Sequence, residues 1–91
     1  MTAATKFTGL VRFFRPQLHS GLAVMDIPKD VAERIGGLKQ MKVRGRLNGV
    51  EFNSNTMPAG GGVLALSLSR ALLKSASLEV GQKANVEIYP L

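Results

Sequence analysis

Hydrophobic residues fall at every second position along most of this chain, and two short stretches carry helical spacing instead. From Lys6 to Phe14, Phe7, Val11 and Phe13 share one face with Gly9, while Lys6, Thr8 and Arg12 share the other with Leu10 and Phe14. That period of two, with its aromatics, predicts a strand over about 6–14. Residues 1–5 are small and polar and are expected to fray. Arg15-Pro16 breaks the pattern, because proline cannot donate to a ladder, and Gln17 to Gly21 reads as a loop. Gly21 to Ile27 is almost continuously apolar, as in a strand buried on both faces.

Pro28 suits the first turn of a helix, where a missing N–H costs nothing. Lys29 to Ile35 follows, with Val31 and Ile35 four apart on one side and Gly36-Gly37 as the stop. Lys39 to Leu47 alternates again: Met41, Val43 and Leu47 face one way, and Lys42, Arg44 and Arg46 the other. Asn48-Gly49 predicts a two-residue hairpin, since its turn needs positive φ at both positions. Val50 to Met57 is the returning strand, and Pro58 to Gly62 reads as a flexible connector. Val63 to Leu68 is another buried strand, and Ser69 a helix N-cap. Arg70 to Ala76 makes a short helix with Leu72, Leu73 and Ala76 inward, and Lys83 to Tyr89 is a last strand.

Two stretches of this series resemble each other. Residues 22–47 and 63–88 each read strand, short helix, turn, strand, with Ile27-Pro28-Lys29 aligned to Leu68-Ser69-Arg70 and Val31 to Leu72. Helices this short are marginal alone, so they must plug or flank a sheet. The expected fold is mainly β: one domain over residues 1–91, a small closed six-stranded (double-split) barrel with two short helices, built from an internal duplication. Closure removes exposed edges.

Composition limits the chemistry. With 91 residues and no Cys, the chain has neither a disulfide frame nor a thiolate metal site. No apolar run approaches the ~20 residues of a membrane span, and the first residues lack a signal-peptide pattern. The expected setting is cytoplasmic, with no membrane partner. The net charge of +6 lies wholly in the first half: nine basic against three acidic residues up to Arg46, then three of each. One-sided basic charge favours polyanions, nucleic acid first.

Lys42, Arg44 and Arg46 are the most suggestive set. Alternate strand residues stand roughly 6.6–6.8 Å apart, comparable to the ~7 Å given by twice the per-strand charge spacing of DNA. Arg12 and Arg15 could extend the patch from the first strand. A solvated outer barrel face accounts for the same residues. The aromatics do not interleave with these cations in the sequence, so stacking on bases is not expected. His19 is the single histidine and is too few for a zinc site. Gly60-Gly61-Gly62 is followed by strand residues rather than Gly-Lys-Ser/Thr, so a bulge or close approach is expected there, not a phosphate loop. Asp26, Asp30 and Glu33 have basic neighbours and suit surface pairing or helix capping.

Val24-Met25-Asp26-Ile27-Pro28-Lys29-Asp30-Val31 followed by Gly36 resembles the half-barrel unit of AbrB-type swapped-hairpin regulators. Those build one barrel from two chains. Both halves here lie in one chain, which resembles an uncharacterised bacterial family of single-chain double-split β-barrels, some fused to a bacteriocin-protection (YdeI/OmpD-associated) segment. Phe7-Thr8-Gly9, Asn48-Gly49, Gly60-Gly61-Gly62 and Val80-Gly81 carry that likeness along nearly the whole chain. The chain lacks the family's frequent Trp before the first repeat strand and has Gly81-Gln82 for the usual Gly-Asp. The resemblance implies no catalytic residues and no cofactor.

The resulting expectation is a non-catalytic binding or interaction module. Its first alternative is nucleic-acid binding through the basic face. A small-ligand carrier or enzyme comes second, since a barrel this small should be filled by its own side chains. Two halves in one chain favour a monomer, although an outer face could still dimerise.

Overall fold

The computed structural model describes residues 4–15 and 21–90. The predicted loop residues 16–20, His19 among them, lie outside these. The elements are β1 (Thr5–Phe13), β2 (Ala23–Ile27), α1 (Lys29–Ile35), β3 (Met41–Leu47), β4 (Val50–Gly60), β5 (Val63–Leu68), α2 (Arg70–Ser75) and β6 (Lys83–Pro90). The six strands close an antiparallel barrel in the order β1-β2-β5-β4-β3-β6. Exchanging β1 with β4, β2 with β5 and β3 with β6 leaves this cyclic order unchanged.

Alternation decides which residues fill the barrel. On β3 the buried positions are Val43, Gly45 and Leu47, while Lys42, Arg44 and Arg46 are exposed. Val11, Met25, Leu64, Leu66, Val86 and Ile88 contribute the corresponding inward side chains, each at most 1% exposed. Full burial of one such side chain is worth about 1.5–3 kcal/mol. The interior is therefore solid. Its rows are strongly sheared. One way round, Leu47 joins Val86 and then Phe7. The other way, Met41 joins Thr56, Leu66, Met25 and Val11. Leu47 leads Met41 by six residues and Val11 leads Phe7 by four, so the rows close with an offset of ten. Such shear tilts the strands steeply against the barrel axis.

Gly45 shows how tight the packing is. A Cβ there would collide with the main-chain carbonyl of Glu87 and stand 3.2 Å from Ile88 Cα. Glycine at this strand position lets β6 approach β3. Thr56, the one buried polar side chain among the described residues, is satisfied locally. Its Oγ1 donates to the Lys39 carbonyl at 3.0 Å and accepts from the Met41 N–H at 3.2 Å.

The two helices use different starts. Ser69 Oγ accepts from the Leu72 N–H at 3.1 Å, as an N-cap should. Pro28 is itself the N-cap of α1, one position earlier than the first turn, and supplies only its carbonyl, to the Ala32 N–H at 2.9 Å. Gly36 stops α1 at φ 135°. The Asn48-Gly49 turn has φ of 48° and 85°, the conformation its residues predict. That turn is tied to β6: the Asn48 N–H donates to the Asn85 carbonyl, and the Asn85 N–H to Asn48 Oδ1, each at 2.9 Å.

Two expectations need correction. Pro58 to Gly62 is not a flexible connector. Pro58, Ala59 and Gly60 continue β4, with a bulge between Pro58 and Gly60, and only Gly61-Gly62 turns. A proline tolerates this position because its nitrogen faces the β3 side, beyond the last β3–β4 pair at Met41 and Thr56. Thr5 is not frayed: it lies in β1 opposite Ile88. The second helix ends at Ser75, with Ala76 as its cap.

Candidate polyanion-binding face

Strand pairing fixes the surroundings of Lys42, Arg44 and Arg46. β3 lies between β4 and β6, so each outward residue meets one neighbour on either side. Arg46 stands opposite Glu51 on β4 and Glu87 on β6, and Glu87 stands opposite Lys6 on β1. Glu51, Arg46, Glu87 and Lys6 thus form a row of alternating charge across four strands. The closest approaches are 3.7 Å for Arg46 with Glu51 and 3.7 Å for Lys6 with Glu87. At side-chain exposures of 51% and 82%, the Arg46–Glu51 pair is weakly held and solvent-screened.

The next row is different. Arg44 stands opposite Asn53 and Tyr89. Its guanidinium carbon lies 5.9 Å from the centre of the Tyr89 ring, within cation–π range. The Tyr89 hydroxyl reaches Glu87 Oε2 at 3.4 Å. Lys42 follows opposite Asn55. Among the described residues, neither Lys42 nor Arg44 pairs with a carboxylate. A groove of about 440 Å³ runs between the two rows, walled by Arg44, Tyr89 and Asn53 on one side and by Arg46 and Glu51 on the other.

The five candidate cations are therefore not one patch. Lys42, Arg44 and Arg46 share the outer face of β3. Arg12 lies six residues beyond Lys6 on β1, about 20 Å along the strand from the Arg46 row. It is already engaged: Nη2 donates to Asp26 Oδ1 at 2.7 Å, Nε lies 3.1 Å from both carboxylate oxygens, and Nη1 donates to the Phe13 carbonyl at 3.1 Å. Arg15 is exposed just past the end of β1. This places Asp26 in an ion pair across the β1–β2 ladder, apart from the exposed helix residues Asp30 and Glu33.

Sequence reasoning missed Tyr89, Glu51 and Glu87 as members of this face. Tyr89 and Arg44 are far apart in the chain, and only the β3–β6 register joins them. The available signal was the alternation of Val86 and Ile88 with Glu87 and Tyr89, which turns the latter two outward. Among the described residues no cluster of His, Asp or Glu could hold a metal ion, and no helix is long and apolar enough to cross a membrane.

Residues 7–88 match the family described as a domain of unknown function, DUF1905, and the chain belongs to it. No curated protein matches the chain.

Proposed function

We propose that this DUF1905 barrel is a non-catalytic binding module that meets an anionic partner, nucleic acid first, on the outer face of β3. The solid interior turns recognition to the outside of the barrel. The observation that carries the reading is Arg44: a cation oriented by an aromatic ring, beside Lys42, with neither charge paired to a carboxylate among the described residues. A planar guanidinium on a ring keeps its outer N–H groups available for phosphate oxygens. Arg46 would add to the site by exchanging Glu51 for a phosphate. Glu51 and Glu87 give the face one basic end and one mixed end, which sets an orientation for the partner. Arg12 and Arg15 have no part in it.

The two strand–helix–strand halves, β2-α1-β3 and β5-α2-β6, fit a duplicated half-barrel of AbrB type in a bacterial, cytoplasmic protein. The cyclic order that survives their exchange supports that origin. A barrel closed within one chain also suits a monomer. The experiment is a titration of the labelled protein with random-sequence duplex DNA, followed by amide and side-chain NMR shifts. Changes centred on Lys42, Arg44, Arg46 and Tyr89 are expected. Changes centred on Arg12 and Asp26, or none, would contradict the assignment.

A further inference from the structure

β4 changes neighbours half-way along its length. From Thr56 onward it pairs with β5, but Val50 to Asn55 pairs in register with β3 alone. In an antiparallel ladder successive residues turn their main-chain N–H and C=O to opposite sides. The two-residue hairpin makes Leu47 and Val50 a hydrogen-bonded pair, so Val50, Phe52 and Ser54 direct their groups to β3. Glu51 and Asn53 turn theirs the other way, where no strand is paired with them. The Ser54 hydroxyl marks the end of the β4–β5 ladder by donating to the Ser67 carbonyl at 2.5 Å.

A groove of about 310 Å³ follows this free edge. Val50 to Ser54 form one wall; Ser67, Ser69, Ala71, Leu72 and Ser75 form the other. The barrel has a second split, where β1 pairs with β2 only at Val11 to Phe13. There α1 lies against β1 and buries Val31, Ala32 and Ile35. α2 buries Leu72 alone and leaves the short side chains of Ala71 and Ser75 on the groove. α2 also touches β4, but less closely than α1 touches β1, and a groove remains between them.

We infer that the open edge of β4 takes an extended peptide of a partner protein as an added antiparallel strand, with short uncharged side chains toward α2 and a basic residue opposite Glu51. Donors and acceptors alternating at the strand repeat match an extended backbone. The helix wall carries short side chains and no cation that would favour a phosphate over a neutral backbone. Glu51 is the one charged residue lining the groove, and its exposed carboxylate is complementary to a Lys or Arg on the peptide's outer side. The site shares Glu51 and Asn53 with the walls of the Arg44 groove, and a peptide probe without phosphate tests it apart from that face.

The probe is the capped peptide acetyl-Thr-Ala-Thr-Ala-Lys-amide, titrated into the labelled protein and followed by amide NMR. Saturable shifts of the Glu51 and Asn53 amides are expected, with a Kd on the order of 1 mM. Methylating the peptide nitrogens of its third and fifth residues removes the donors set opposite Asn53 and Glu51 and should weaken binding at least about tenfold, the loss of one good hydrogen bond or more. Replacing its Lys by Glu should weaken it too. Absence of shifts at Glu51 and Asn53 would overturn the proposal, as would equal binding of the methylated peptide. Concentration-dependent protection of the same amides without peptide would also overturn it, by showing that a second copy fills the edge.

Discussion

The Arg44 guanidinium lies over the Tyr89 ring, 5.9 Å from its centre, and among the described residues it has no carboxylate partner. The ring holds the side chain against β6 while leaving its charge free. Arg44→Lys keeps the charge but gives up the planar fork and its stacking. Tyr89→Leu keeps the fold's outward position but removes the ring. Both are expected to weaken duplex DNA binding by about 0.5–1 kcal/mol, the scale of an exposed cation–π contact. Arg44→Ala should weaken it further. Fluorescence anisotropy at one fixed salt concentration checks the ranking; an affinity of Tyr89→Leu equal to that of the native chain would show that the ring plays no part.

Gly45 and Gly9 both face inward, yet an added methyl group should cost much more at Gly45. At Gly45 the new Cβ meets main chain, the Glu87 carbonyl, which cannot move without parting β3 from β6. At Gly9 it clashes with Cγ and Sδ of Met25, a buried but unbranched side chain, and touches Phe7 Cε2 at 3.5 Å. Urea denaturation should show Gly45→Ala losing about 3 kcal/mol or more and Gly9→Ala about 1 kcal/mol. Similar losses would mean that the β3–β6 approach is looser than described.

Thr56 bridges the Lys39 carbonyl and the Met41 N–H at the entry to β3. Thr56→Val keeps its volume and leaves both main-chain groups without that partner. The expected cost is about 1–3 kcal/mol, read as a lower urea midpoint at unchanged slope. Thr56→Ser should retain most of the stability, because the hydroxyl remains.

Arg12 separates the structural from the binding cations. Arg12→Ala breaks the Asp26 pair, whose carboxylate is half exposed, and so should cost only about 1 kcal/mol. DNA affinity and its salt dependence should not change. A loss of affinity matching that of Arg44→Ala would return Arg12 to the site.

The sequence carried much of this fold in its local signals. Alternation in Lys39 to Leu47 put Lys42, Arg44 and Arg46 on one outer face, and Asn48-Gly49 marked the turn after them, as found. Ser69 and Gly36 bounded helices where capping chemistry places them. Pro58 to Gly60 was not legible as strand, because two turn-prone residues, Pro58 and Gly60, are held there by a bulge and by pairing with β5, neither of which leaves a local trace. The site was half legible for a related reason. Direction in or out follows from alternation, but the neighbours of an outward residue follow from register. Hence Glu51 and Tyr89 beside Arg46 and Arg44, and the separation of Arg12 from them, came only with the closed barrel.

The central claim is that the outer face of β3 binds a polyanion. The most direct test is the slope of affinity for random-sequence duplex DNA against salt, between about 50 and 200 mM, for the native chain and for the Lys42→Ala, Arg44→Ala double variant. The account predicts binding that weakens steeply with salt, and a slope lower by about 2 in the variant, one for each phosphate contact removed. Absence of binding at the lower salt, or the same slope in both proteins, would contradict it.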